Sequence, residues 1–287
     1  MRFIWTELHG LRAGSLAIDR LAKFGARLQP GSRLLASVTR VERAIERRTV
    51  DPAKDGDFAY RLAESHRTIL EFYIISSALG EVDGIDEKRL NLALSGHDLP
   101  EEDTLTTGAR DAQFELLVTA LVHHAGIRDV SVGEPDIRIK AGDRCFGIAA
   151  KRVSSRRQLE KHLRKSSKQI RQQDDYGLIA LNLDGVIDPI YRLHGVERAR
   201  SAFRSLILES HDFIESHGYG GHVAGLQGFA TILGWESADG NAVMGLEVLS
   251  HSHWVSSSED LDRMRQFIAG RGVHLQDRLA HLFNLCV

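Results

Sequence analysis

Residues 176–183 read YGLIALNL, a short apolar run without alternation. A run of this length suits a β-strand buried on both faces, since a strand with one wet face would alternate polar and apolar side chains. Such a strand needs a layer of structure on each side of its sheet. The segments before it supply candidates for those layers. Residues 109–125 (ARDAQFELLVTALVHHA) form an amphipathic helix pattern that ends at Gly126. Residues 128–140 and 144–153 alternate like two strands around Ala141-Gly142-Asp143. Residues 155–173 return to helical spacing. The order from 109 to 185 is helix, strand, strand–turn–strand, helix, strand. It predicts an α/β core with helices on both faces of a mixed sheet.

The first hundred residues are mostly helical in pattern. Helices are expected over 15–28, 32–48, 57–80 and 86–95, the third closed by Gly80. Residues 96–109 are polar, contain Pro100 and Gly108, and form the best linker in the chain. This divides the chain into a helical accessory domain at 1–100, an α/β core at 109–185 and a C-terminal extension at 186–287 that completes the core or packs on it. The extension reads as a helix over 189–217, a break at Gly218-Tyr219-Gly220-Gly221, and strands over 224–236 and 242–255 around Asp239-Gly240. Helices are expected over 258–269 and 273–285.

Composition excludes several classes. No apolar run approaches the length of a membrane span, and the first residues lack a signal-peptide pattern, so a cytoplasmic protein without a membrane partner is expected. The two cysteines, Cys145 and Cys286, make neither a disulfide framework nor a zinc site, and each reads as a small buried hydrophobe. His251 and His253 share a strand face without a third ligand at sensible spacing, which favours a structural role. Net charge is −2, yet residues 138–172 carry twelve Lys or Arg against two acids. At 100° per residue, Arg157, Lys161, Arg164, Lys165, Lys168 and Arg171 fall on one helix face, opposite Leu159, Leu163 and Ile170. A solvated helix face usually mixes signs; a face this cationic suits phosphate contacts, with Arg152 beside it.

Next to this stripe lie the residues with chemistry. If the two strands pair through the turn at 141–143, Asp136 and Lys151 point into one space. A carboxylate there can hold a divalent cation, and a lysine can orient water or stabilise a developing oxyanion. A lysine among Phe146, Ile148 and Val153 needs a partner, and Asp136 is the natural one. Glu115, on the preceding helix, can reach the site from the side.

Over residues 109–185 the chain resembles the PD-(D/E)XK nuclease superfamily. Pro135-Asp136 matches the PD element and Lys151 the lysine of (D/E)XK. Glu115 matches the acid of the first core helix, and Gln169 a glutamine near the site in several subgroups. The resemblance implies a restriction-endonuclease-like core that hydrolyses DNA with Mg²⁺ or Mn²⁺ in defence or repair, alone, as a homodimer or with a partner subunit. Asp136 and Glu115 would be the metal ligands, and Asp136, Lys151, Glu115 and Gln169 the catalytic set. The departure is Ala149, where the family has an acid. Losing one hard oxygen ligand weakens an Mg²⁺ site without abolishing it. The alternative is a protein that keeps the fold and binds DNA, or assembles with a partner, without cutting.

Overall fold

The computed structural model describes residues 2–4, 6–47, 55–97, 107–141, 144–173, 176–187, 196–238 and 241–254, with 279 and 281. Seven helices are present among them: α1 (Glu7–Lys23), α2 (Arg33–Arg47), α3 (Gly56–Ser77), α4 (Glu87–Leu94), α5 (Thr107–His124), α6 (Arg156–Gln173) and α7 (Val196–Ser216). The strands are β1 (Arg2–Ile4), β2 (Val130–Val132), β3 (Ile137–Ala141), β4 (Arg144–Arg152), β5 (Tyr176–Asn182), β6 (Val223–Ala238) and β7 (Asn241–Trp254). All seven strands join one mixed sheet in the order β1-β7-β6-β5-β4-β3-β2. The β4–β5 and β5–β6 pairs are parallel, and the others antiparallel. The parallel pairs require crossovers, and α6 and α7 provide them.

The central strand shows why its sequence is apolar throughout. Leu178 and Ala180 join a core formed with α1–α5, whereas Ile179 and Leu181 join a second core with α6 and α7. Helices α1–α4 thus share one continuous core with α5 and the sheet. On the other face, Leu159, Leu163 and Ile170 of α6 are buried as their spacing predicts. A Cβ on Gly177 would stand 2.5 Å from the Gly147 carbonyl oxygen and 2.8 Å from Ile170, so α6 could not approach β5 this closely with any larger residue there.

Several expectations change on the structure. The helix expected over 15–28 begins at Glu7 instead. There Thr6 caps it: the His9 N–H donates to the Thr6 hydroxyl at 3.3 Å and the Thr6 N–H to His9 Nδ1 at 3.1 Å. It ends at Lys23, ahead of Gly25 in the left-handed region (φ 96°). The strand expected over 128–140 is two antiparallel strands, because the chain turns at 133–136, where the Gly133 N–H donates to the Asp136 carbonyl at 3.0 Å and the Glu134–Pro135 peptide is cis. Cys145 is exposed, not buried; it lies at the turn end of β4, opposite Lys140 of β3. Cys286 and the helices expected beyond 257 lie outside the described residues, apart from helical Leu279 and His281. The expected linker lies partly outside them as well, at 98–106.

Candidate active site

The site exists because β4 is longer than its neighbour. Pairing of β3 with β4 stops at Ile137 opposite Ile148, so residues 149–152 run on with an open outer edge. The free backbone N–H of Ala150 on that edge donates to Asp136 Oδ2 at 2.8 Å. The same oxygen accepts from Lys151 Nζ at 2.5 Å. Each of the two side chains is 12% exposed. Asp136 and Lys151 therefore converge from adjacent segments into one notch, as their alternation predicts. Burial raises the Asp136 pKa above the usual carboxylate range, against the opposing effect of Lys151 and the Ala150 N–H.

Helix α5 borders this notch with two carboxylates one turn apart. Glu115 is paired with Arg89 at 3.1 Å and is 16% exposed. Burial and the negative charge of Asp136 push its pKa up to about 7, despite Arg89 and Lys151. Asp111 is raised too, mainly by burial; Arg152 and Lys151 oppose that shift and Asp136 adds to it. Sequence reasoning missed Asp111. Its signal was the i, i+4 spacing to Glu115, which puts both on one helix face.

From the opposite face α6 contributes Gln169 and His162. The Gln169 amide donates to the Pro135 carbonyl at 3.3 Å and to Glu134 Oε2 at 3.5 Å, bracing the turn that carries Asp136. Its own Oε1 is buried without a hydrogen-bond partner. His162, half-buried, has its pKa lowered by burial and by Lys151, Lys161 and Lys165, so it is neutral at pH 7. Its presence beside Lys151 was not anticipated. Ala149, the departure from the family pattern, is wholly buried in the core beneath α6 and α7.

Outward from the notch, Arg157, Lys161, Arg164, Lys165, Lys168 and Arg171 are all exposed on α6. Arg164 lies 5.7 Å from the centroid of the Phe213 ring, which ties that end of the stripe to α7. Arg152 does not join this wall. Alternation turns it to the other sheet face, where Arg110, Arg67, Asp184 and Glu71 are the charges around it.

The negative charge of Asp136 raises the pKa of both Glu115 and Asp111, with Lys151, Arg89 and Arg152 as the opposing cations. Hard oxygen donors in that condition suit a divalent cation chemically. Among the described residues, however, no three His, Cys, Asp or Glu side chains form a ready-made metal cage. Any cation here would be held by one or two carboxylates and would keep waters, a mode usual for Mg²⁺. No family model, no curated protein and no solved structure matches this chain.

Proposed function

We propose that the protein is a metal-dependent nuclease with a restriction-endonuclease-like core, hydrolysing DNA phosphodiester bonds. The observation that carries this reading is the Asp136–Lys151 pair at an open strand edge, beside a cationic helix face. The order α5-β2-β3-β4-α6-β5 supports it, because it is the element order the resemblance implies. Asp136 would hold Mg²⁺ through the oxygen that Lys151 does not engage, and Glu115 would assist once its proton is lost. The bound cation would supply charge stabilisation and an acidified water. Lys151, fixed by Asp136, has further N–H donors to offer a phosphate oxygen as charge develops. Gln169 holds the Asp136 turn, and α6 binds the backbone without reading sequence.

A second reading follows from Ala149: a DNA-binding or assembly subunit that has kept the fold. The buried alanine favours it, as does the lack, among the described residues, of three acidic or histidine side chains placed to cage a metal. Supercoiled plasmid incubated with Mg²⁺ or Mn²⁺ separates the two. Nicking that falls ~100-fold or more in both Asp136→Asn and Lys151→Met supports the enzyme. Cutting unchanged in both variants overturns it, and salt-sensitive binding without cutting in either metal supports the subunit.

A further inference from the structure

The end of α7 carries a set of aromatic rings outside the notch. Phe213 and His217 stand one turn apart, with ring centroids separated by 4.0 Å and planes 25° apart. By itself such an i, i+4 pair is an ordinary helix contact. Tyr219 lies beyond the helix, yet its ring is 6.2 Å from that of His217 and within 6° of parallel to it. Gly218 permits this: at φ 68° it turns the chain in the left-handed region and brings Tyr219 alongside the helix end. Phe213, His217 and Tyr219 thus form one stack.

The stack is fixed before any ligand arrives. Phe213 and Tyr219 are half-buried and pack against the core beneath α6 and α7. His217 is exposed. Its Nδ1 lies 2.9 Å from the Phe213 carbonyl; a carbonyl only accepts, so Nδ1–H donates and holds the ring. A Cβ built on Gly218 or Gly221 would meet nothing within 4 Å, so open space adjoins the loop. Rings already held in place cost little entropy to occupy, and their π surface matches any nucleobase regardless of sequence.

The stack also adjoins the cationic face of α6, which complements a polyanion. Arg164 stands 5.7 Å from the Phe213 ring centroid. Lys161 and Lys168 lie three and four residues either side of it, in one line along the helix. Gln169 lies on the other flank of α6, donating to the Pro135 carbonyl beside the notch. The cations therefore run between the notch and the rings. A duplex hides its base faces and offers only base edges in its grooves, so rings on a surface can take only unpaired bases.

We propose that Phe213, His217 and Tyr219 form a base-stacking platform for single-stranded nucleic acid whose phosphates lie on the α6 stripe. The choice of nucleic acid rests on the reading of α6 as a backbone contact; the need for an unpaired strand rests on the rings.

The test uses the full chain without divalent metal, so cleavage does not enter. Anisotropy titrations compare a labelled single strand with the duplex of the same sequence at one salt concentration. His217→Ala and Tyr219→Leu are each expected to weaken single-strand binding about fivefold or more and to leave duplex binding unchanged. Leucine keeps apolar packing and removes the ring, whereas Tyr219→Phe keeps the ring and should bind as wild type does. The slope of log affinity against log salt should not change in these variants, because no phosphate contact is lost. Single-strand affinity unchanged in either His217→Ala or Tyr219→Leu overturns the platform; cutting of plasmid by the same variants would then leave the nuclease reading standing. Equal losses for single strand and duplex also overturn it, since they mark the rings as structural. Ring-dependent binding of the single strand, with no cutting of any substrate in Mg²⁺ or Mn²⁺, supports the platform and removes the nuclease reading alone. Wild type that binds neither form overturns the platform together with the α6 contact.

Discussion

Glu115→Gln is expected to make the protein more stable at alkaline pH and to flatten its stability profile. The Glu115 pKa rises from the ordinary 4.5 to about 7, chiefly through burial and then through Asp136. Its folded-state pKa therefore lies above its unfolded value. Between pH 4.5 and 7 the folded state holds a proton that the unfolded state has lost, so stability falls as pH rises through that window. At about 1.4 kcal/mol per pKa unit, ionising Glu115 destabilises the fold by roughly 3 kcal/mol above pH 7. Glutamine keeps the shape and removes the titration. It also removes the Arg89 ion pair, in which the arginine is 33% exposed. A pair that open is worth only about 0.5 kcal/mol. That attraction is already contained in the shift to about 7, so the net expectation is a gain of roughly 3 kcal/mol at pH 8 and little change at pH 4.5. Urea unfolding at the two pH values measures both, provided the m-value is unchanged. A variant whose pH slope matches wild type, or which is less stable at pH 8, would refute the assignment of Glu115 to a water-poor, negatively charged pocket.

Three further outcomes are expected. Asp136→Ala strands the Lys151 ammonium and the Ala150 N–H, and should cost about 3 kcal/mol by urea unfolding; adding Lys151→Met should restore at least half, whereas additive losses would count against a coupled pair. Lys161→Glu with Lys168→Glu should weaken DNA binding and reduce the slope of log affinity against log salt by about 2, measured by anisotropy titrations; an unchanged slope would remove α6 from the interface. Cys145 should react with a maleimide in the native protein at a rate near that of the denatured chain, as mass spectrometry of the labelled peptide would show; protection until unfolding would contradict its exposure.

Much of the fold was legible where a local period carries it. The β5 run, the stripe of α6 and the strand pair β6–β7 around 239–240 all follow from side-chain spacing alone. The three-residue β1 was not legible, because so short a segment has no period, and it exists only by pairing with β7. The break between β2 and β3 was hidden by alternation that continues across Gly133–Asp136. In the site, alternation alone placed Asp136 and Lys151 together. It could not reveal Asp111 or His162, which reach the notch from α5 and α6 packed on opposite faces.

The sequence by itself determined which side chains share a face, because periods of 2.0 and 3.6 residues are properties of the backbone. It thereby set the α/β class, the cationic face of α6 and the common direction of Asp136 and Lys151. Tertiary structure decided where pairing stops. That β3 ends opposite Ile148 leaves the last residues of β4 without a strand partner on that side, and this edge admits Asp136, Glu115 and Asp111 to one notch. Strand register depends on contacts between residues far apart in the chain, and no local pattern encodes it.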